Sequence, residues 1–131
     1  MSASITPNTW KRASGYSHAI KAQGTYLAIS GQVGWDESET LVGDGFLAQA
    51  QRALENIVAI VRAAGGRPEH VARLTWYVVD ADDYRSCAKD LGTIYRQIFG
   101  PHYPAMSLLV VAALLEPGAR VEIEATAILE P

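Results

Sequence analysis

The chain has 131 residues, of which 49% are hydrophobic and 19% charged, a balance that fits one globular domain and excludes a disordered or fibrous chain. Eleven basic against fourteen acidic residues give a net charge of −3, with no Lys/Arg cluster interleaved with aromatics, which argues against nucleic acid as a partner. The lone cysteine, Cys87, excludes an intramolecular disulfide, and the longest apolar run, Leu108 to Leu115, is far below the ~20 residues of a membrane helix.

Residues Met1 to Gly15 mix Ser, Thr, Asn, Lys and Arg around Trp10, without the apolar centre of a secretory signal. The expectation is a cytoplasmic protein without a membrane partner, a single domain over residues 1–131 with an N-terminal extension over 1–14. Two β-type stretches follow between Tyr16 and Val33, separated by the turn-like pair Gln23-Gly24. Simple alternation along the second puts Tyr26, Ala28, Ser30 and Gln32 on one face and Leu27, Ile29 and Val33 on the other. Gly34 to Thr40 reads as a polar loop, and Asp44 as the N-cap of a helix.

From Gly45 to Ala64, apolar residues at Ala50, Ala53, Leu54, Ile57, Val61 and Ala64 keep the three-and-four spacing of one buried helical face, which Gly65-Gly66 ends. His70 to Asp80 is rich in β-branched and aromatic residues and predicts a strand. A second helix is predicted over Ala81 to Phe99, with Tyr84, Cys87, Leu91, Tyr95 and Phe99 on one face and Gly100-Pro101 as its stop. Two strands, Ala105 to Leu115 and Ala119 to Leu129, are joined at Glu116-Pro117-Gly118. The first is apolar on both faces, so the helices can cover one side and a second subunit is the economical cover for the other. The order β-β-α-β-α-β-β is an α+β class, with two helices packed on one face of a mixed sheet.

Several segments together resemble the Rid (reactive intermediate deaminase, YjgF) family: Gly15-Tyr16-Ser17-His18-Ala19-Ile20, Ile29-Ser30-Gly31-Gln32-Val33-Gly34, Gln51-Arg52-Ala53-Leu54-Glu55-Asn56-Ile57, Tyr103-Pro104-Ala105 and Val121-Glu122-Ile123-Glu124-Ala125. The resemblance implies a chorismate-mutase-like fold and a homotrimer with a small-molecule cleft between each pair of subunits. It also implies hydrolysis of enamines and imines released by pyridoxal-phosphate enzymes, with water and with no cofactor. An arginine follows the Pro-Ala pair in the family and holds the substrate carboxylate. Met106 stands at that position here, and Leu108 where some members carry a small thiol residue.

By this resemblance Glu122 positions the attacking water and relays its proton, Tyr16 and Ser30 supply hydroxyls, and Gly31, Met106, Ser107 and Leu108 form the substrate-binding wall. Each has a plainer alternative: Glu122 and Glu124 as a solvated strand face, Tyr16 as an aromatic packed at a strand start, Ser30 as a satisfied strand serine, Met106 as a core methionine. His18 shares a strand face with Tyr16 and is a second candidate for proton transfer. Cys87 and the three histidines, His18, His70 and His102, show no metal-ligand spacing, so no metal is expected. Two functions follow: a deaminase for a reactive metabolite other than the usual 2-imino acids, or a non-catalytic trimer that keeps the cleft and binds a small ligand.

Overall fold

A computed structural model describes residues 2–131. Its elements in chain order are β1 (Ala3–Ile5), β2 (Ala19–Lys21), β3 (Thr25–Gln32), α1 (Phe46–Ala63), β4 (Val71–Val78), α2 (Ala81–Phe99), β5 (Ala105–Val110) and β6 (Val121–Leu129), with a short 3-10 turn, Pro68–His70, before β4. Four strands form one mixed sheet in the order β3-β6-β4-β5, in which only β4 and β5 run parallel. The parallel pair is joined through α2, because adjacent parallel strands need a crossover long enough to return the chain. β1 and β2 form a separate antiparallel pair, so part of the expected extension, Ala3–Ile5, is paired strand.

Both helices pack on one face of the sheet. Alternation on β4 and β6 delivers Leu74, Trp76 and Val78, and Val121, Ile123, Ala125 and Ala127, to that face. Ala50, Ala53, Leu54, Ile57 and Val61 of α1 meet them as one fully buried stripe. Helix α2 contributes Leu91, Tyr95 and Phe99. It begins where Asp80 caps it, the carboxylate accepting from the Asp82 N–H at 2.9 Å.

Three expectations are corrected. Asp44 is not a cap, since α1 starts one residue later behind Gly45 and carries no side-chain cap. The apolar run expected to be strand as far as Leu115 leaves the sheet after Val110, because β4 ends at Val78 and no partner strand continues beside it. The strands on either side of Glu116-Pro117-Gly118 are not neighbours, as β4 lies between β5 and β6. Alternation along β3 also fails after Ile29. Ile29 pairs with Ala125 and Gln32 with Ile123, so β3 spends one residue more than β6 over that interval, a β-bulge at Ser30-Gly31. Gln32 is thereby moved to a position opposite a core residue.

The long loop before β6 is pinned from inside. Gln49 is fully buried; its Nε2 donates to the carbonyls of Gly43 (2.7 Å) and Gly118 (3.1 Å), and its Oε1 accepts from the Arg120 N–H (2.8 Å). A buried amide with every polar atom paired is a stable way to fasten two loops. The far face of the sheet stays uncovered in the protomer, where Leu109 is 46% exposed, and Val110, paired with Val78 at the end of β5, is 57% exposed. No described helix is long and apolar enough to cross a membrane.

Candidate functional site

Glu122 lies between Val121 and Ile123, both fully buried under the helices, so alternation turns its carboxylate to the opposite, uncovered side. There it sits opposite Tyr77 of β4. The bulge of β3 brings Gly31 against it so closely that a Cβ on Gly31 would lie 2.0 Å from the Glu122 Oε2. Real Cβ atoms do not tolerate such contacts, and a carboxylate can lie across this backbone only where the residue is glycine. Glu122 has no hydrogen-bond partner among the described residues.

Glu124, two positions on, faces the same side but is engaged. The Tyr77 hydroxyl donates to its Oε1 at 2.6 Å. That bond, then partial desolvation and the charges of Glu124 and Glu122, push the Tyr77 phenol above its ordinary value, so Tyr77 remains a proton donor. The two carboxylates therefore differ in kind: one accepts from a fixed phenol, and the other has its oxygens free to accept from water.

Ser30, beside Gly31, is exposed and its hydroxyl accepts from the Gln32 Nε2 at 3.3 Å. It lines a shallow depression with Gln32, Trp35, Arg52, Asn56 and Ile60. Tyr16, at the other end of the molecule's sheet, is 37% exposed and stacks edge-on against His18, which does the same against Trp10. This segment is held by Ser17, whose N–H donates to the Pro104 carbonyl at 3.1 Å and whose backbone bridges Ala105.

Met106 and Leu108 pair with Leu74 and Trp76 of β4 and share their face, towards the helices; Ser107 pairs with Thr75 and points to the uncovered side with Glu124. The expected substrate wall is thus split between two faces of one strand. Met106 forms part of a cavity of about 230 Å3 between β4–β5 and α2, whose other walls include Trp76, Tyr84, Tyr95, Tyr103 and Arg96. Tyr95 stacks on Tyr103 with ring centres 5.3 Å apart and donates its hydroxyl to the His102 carbonyl at 2.9 Å. Burial, with a smaller contribution from Tyr103, raises the Tyr95 phenol far above the ordinary range.

Within one protomer, therefore, Gly31 and Glu122 come together with Ser30 beside them, Met106 and Leu108 lie on the opposite face, and Tyr16 stands near the Met106 cavity, which the preceding Ser14 and Gly15 help to line. Sequence reasoning missed Tyr77, because its place opposite Glu122 depends on strand register. It also missed Arg96 and Gly92, although their four-residue spacing on a predicted helix puts them on one face.

The Endoribonuclease L-PSP family matches residues 6–129. A human protein named 2-iminobutanoate/2-iminopropanoate deaminase is 38% identical over 117 residues, spanning 88% of this chain and 81% of that one. The chain belongs to the Rid (YjgF) family. A crystal structure of a Rid-family protein from Yersinia pestis overlays with a TM-score of 0.85 at 36% identity, covering 98% of both chains. RidA from the Antarctic bacterium Psychrobacter does so with a TM-score of 0.69 at 35% identity, covering 97% of this chain and 99% of its own. These overlays carry the α+β Rid fold, two helices on a mixed sheet, over essentially the whole length. Among the described residues of this Rid protein, no group of three or more His, Cys, Asp or Glu side chains could hold a metal ion.

Proposed function

We propose that this Rid protein is a cytoplasmic homotrimer that hydrolyses an enamine or imine at clefts between its subunits, on a substrate other than the small 2-imino acids. The observation that carries the reading is the Glu122 carboxylate, laid against Gly31 and free of any partner among the described residues. Hydrolysis starts from a protonated imine. Glu122 accepts a proton from water as the oxygen bonds to the imine carbon and returns it to nitrogen; as the C–N bond breaks it takes the remaining hydroxyl proton and passes it to solvent, releasing ammonia and a carbonyl compound. Tyr16 and Ser30 supply hydroxyls to the ligand or the water, and Gly31, Met106, Ser107 and Leu108 bound it.

These residues occupy separate regions of one protomer, which supports a cleft completed by a second copy. The exposed Leu109 and Val110 supply apolar surface for that contact. Ribonuclease activity has less to support it, because a net charge of −3 works against a polyanionic substrate.

The test is ammonia release from a panel of imines with and without carboxylates, with light scattering on the same sample. Glu122→Gln should keep the assembly and ligand binding while turnover falls by ~100-fold or more, the scale of a lost general base. Full activity in that variant would remove Glu122 from the chemistry. Ligand binding with no ammonia from any imine would favour the non-catalytic binding trimer instead, and a stable monomer at micromolar concentration would remove the shared cleft.

A further inference from the structure

We propose that the substrate's carboxylate is held by Arg96 on α2, and that the cavity beside it selects an aryl-bearing imino acid. The proposal rests on the deaminase reading and names the substrate class for it. With Met106 on β5, the cavity wall there offers a thioether, which cannot make the paired charge-assisted hydrogen bonds of a guanidinium.

Arg96 is the one ionised side chain lining this cavity, and no carboxylate lines it. It makes no ion pair or side-chain hydrogen bond among the described residues, whereas Arg120, at the other end of α2, is committed to Asp83 at 2.6 Å. Its position is also specific. One helical turn earlier stands Gly92, and the Arg96 Nη1 lies 3.7 Å from where a Cβ on that glycine would be. The guanidinium is therefore folded back along α2 over a gap left by the missing side chain, instead of extending outwards. A glycine inside a helix is less favourable than an alanine, so the gap comes at some expense in helix stability.

The remaining walls set the ligand's shape. Trp76, Tyr84, Tyr95 and Tyr103 surround about 230 Å3, less than the ~300–1,000 Å3 of drug-sized sites and suited to a single ring with a short substituent. Trp76 is 2% exposed and its Nε1 has no hydrogen-bond acceptor among the described residues, its ring meeting Tyr84 edge-on at 5.8 Å. The buried indole donor leaves Arg96 as the charged group of this wall that a ligand's carboxylate can meet. An aromatic ring contributes apolar area and stacking, and its carboxylate meets Arg96 bidentately.

Three probes separate the contributions by isothermal titration of the intact protein: 3-phenylpropanoate, its neutral isostere 3-phenylpropanamide, and propanoate, which lacks the ring. The carboxylate with the ring should bind at least tenfold more tightly than either of the others. Arg96→Gln should bring 3-phenylpropanoate down to the affinity of the amide without changing the amide, and Arg96→Lys should recover part of the difference. Equal binding of acid and amide by the unmodified protein, or an undiminished preference for the acid in Arg96→Gln, would overturn the proposal. Ammonia release keeps the two readings apart. If the binding pattern holds but the imine of phenylpyruvate releases no ammonia, the deaminase reading fails and Arg96 remains the anchor. If the imine of phenylpyruvate is hydrolysed equally by the unmodified protein and Arg96→Gln, the deaminase reading survives and the anchor is wrong.

Discussion

The corner where β3 meets β6 and the cavity between β5 and α2 are built on different principles. At the corner, Glu122 is placed by backbone: strand alternation turns it out, a bulge brings Gly31 against it, and the absence of a side chain at position 31 leaves room for its carboxylate. The cavity is made by side chains, with four aromatic rings, a methionine and an arginine meeting around a space that few hydrogen bonds cross. The corner depends on one bulge and one glycine, while the wall of side chains can be altered at any of several positions. On the proposed reading, the half of the site that handles the proton can stay fixed while the half that recognises substrate diverges.

The largest effect that would break this contrast is at Gly31. Gly31→Ala places a methyl group where the Glu122 Oε2 now lies, 2.0 Å from the built position, so the carboxylate must move. Turnover should fall by about 100-fold, close to the loss from removing the base itself, while stability falls by no more than the ~1–3 kcal/mol of an overpacked site. Steady-state kinetics alongside urea unfolding would separate the two, and unchanged turnover would mean that this packing does not position the base.

A smaller effect sharpens the other side of the comparison. Met106→Arg alone puts a second guanidinium into a cavity that already contains Arg96, and the like charges should offset any gain. Combined with Arg96→Gln, the same substitution restores a single cation on β5. The double variant should then hydrolyse 2-iminobutanoate about tenfold faster than Met106→Arg does, as measured by ammonia release. Equal rates would show that the two positions do not share one ligand.

The smallest effect concerns Tyr77, which belongs to the fixed corner without touching Glu122 by a hydrogen bond. Its phenol is raised by the bond to Glu124, so the folded state holds that proton more tightly than the unfolded chain does. The contribution is full below the ordinary phenol value near ~10 and is lost as pH rises through the higher folded value. Urea midpoints taken from neutral pH to strongly alkaline pH should fall less steeply for Tyr77→Phe than for the unmodified protein. Parallel curves would remove the Tyr77–Glu124 bond as a source of stability.

Legibility in the sequence followed the range of the interactions involved. Helix α2 was readable from its apolar stripe and its stop at Gly100-Pro101, which are local, although its cap, Asp80, reads in the sequence as the end of the strand before it. The end of β5 was not. Val111 to Leu115 is as strand-like as the residues before it, but a strand ends where its neighbour ends, and the last bond available is from the Val111 N–H to the Val78 carbonyl at 2.9 Å. Glu122 was legible through the family's motif, yet its closeness to Gly31 was not, since one extra residue in β3 is visible only after the pairing is known. Arg96 could have been noticed as the neighbour of Gly92 on a confidently patterned helix. Nothing in the sequence said that β5 would place Met106 across from that same helix.

The bulge at Ser30-Gly31 also matters for what the protein must avoid. β3 is an edge strand of the four-stranded sheet, and a regular edge is a template on which another chain can add a strand. An extra residue interrupts the even spacing of backbone donors and acceptors and bends the strand, so an incoming chain finds only short stretches in register. The irregularity that brings a glycine to the Glu122 carboxylate thus also makes this edge a poor seed for aggregation.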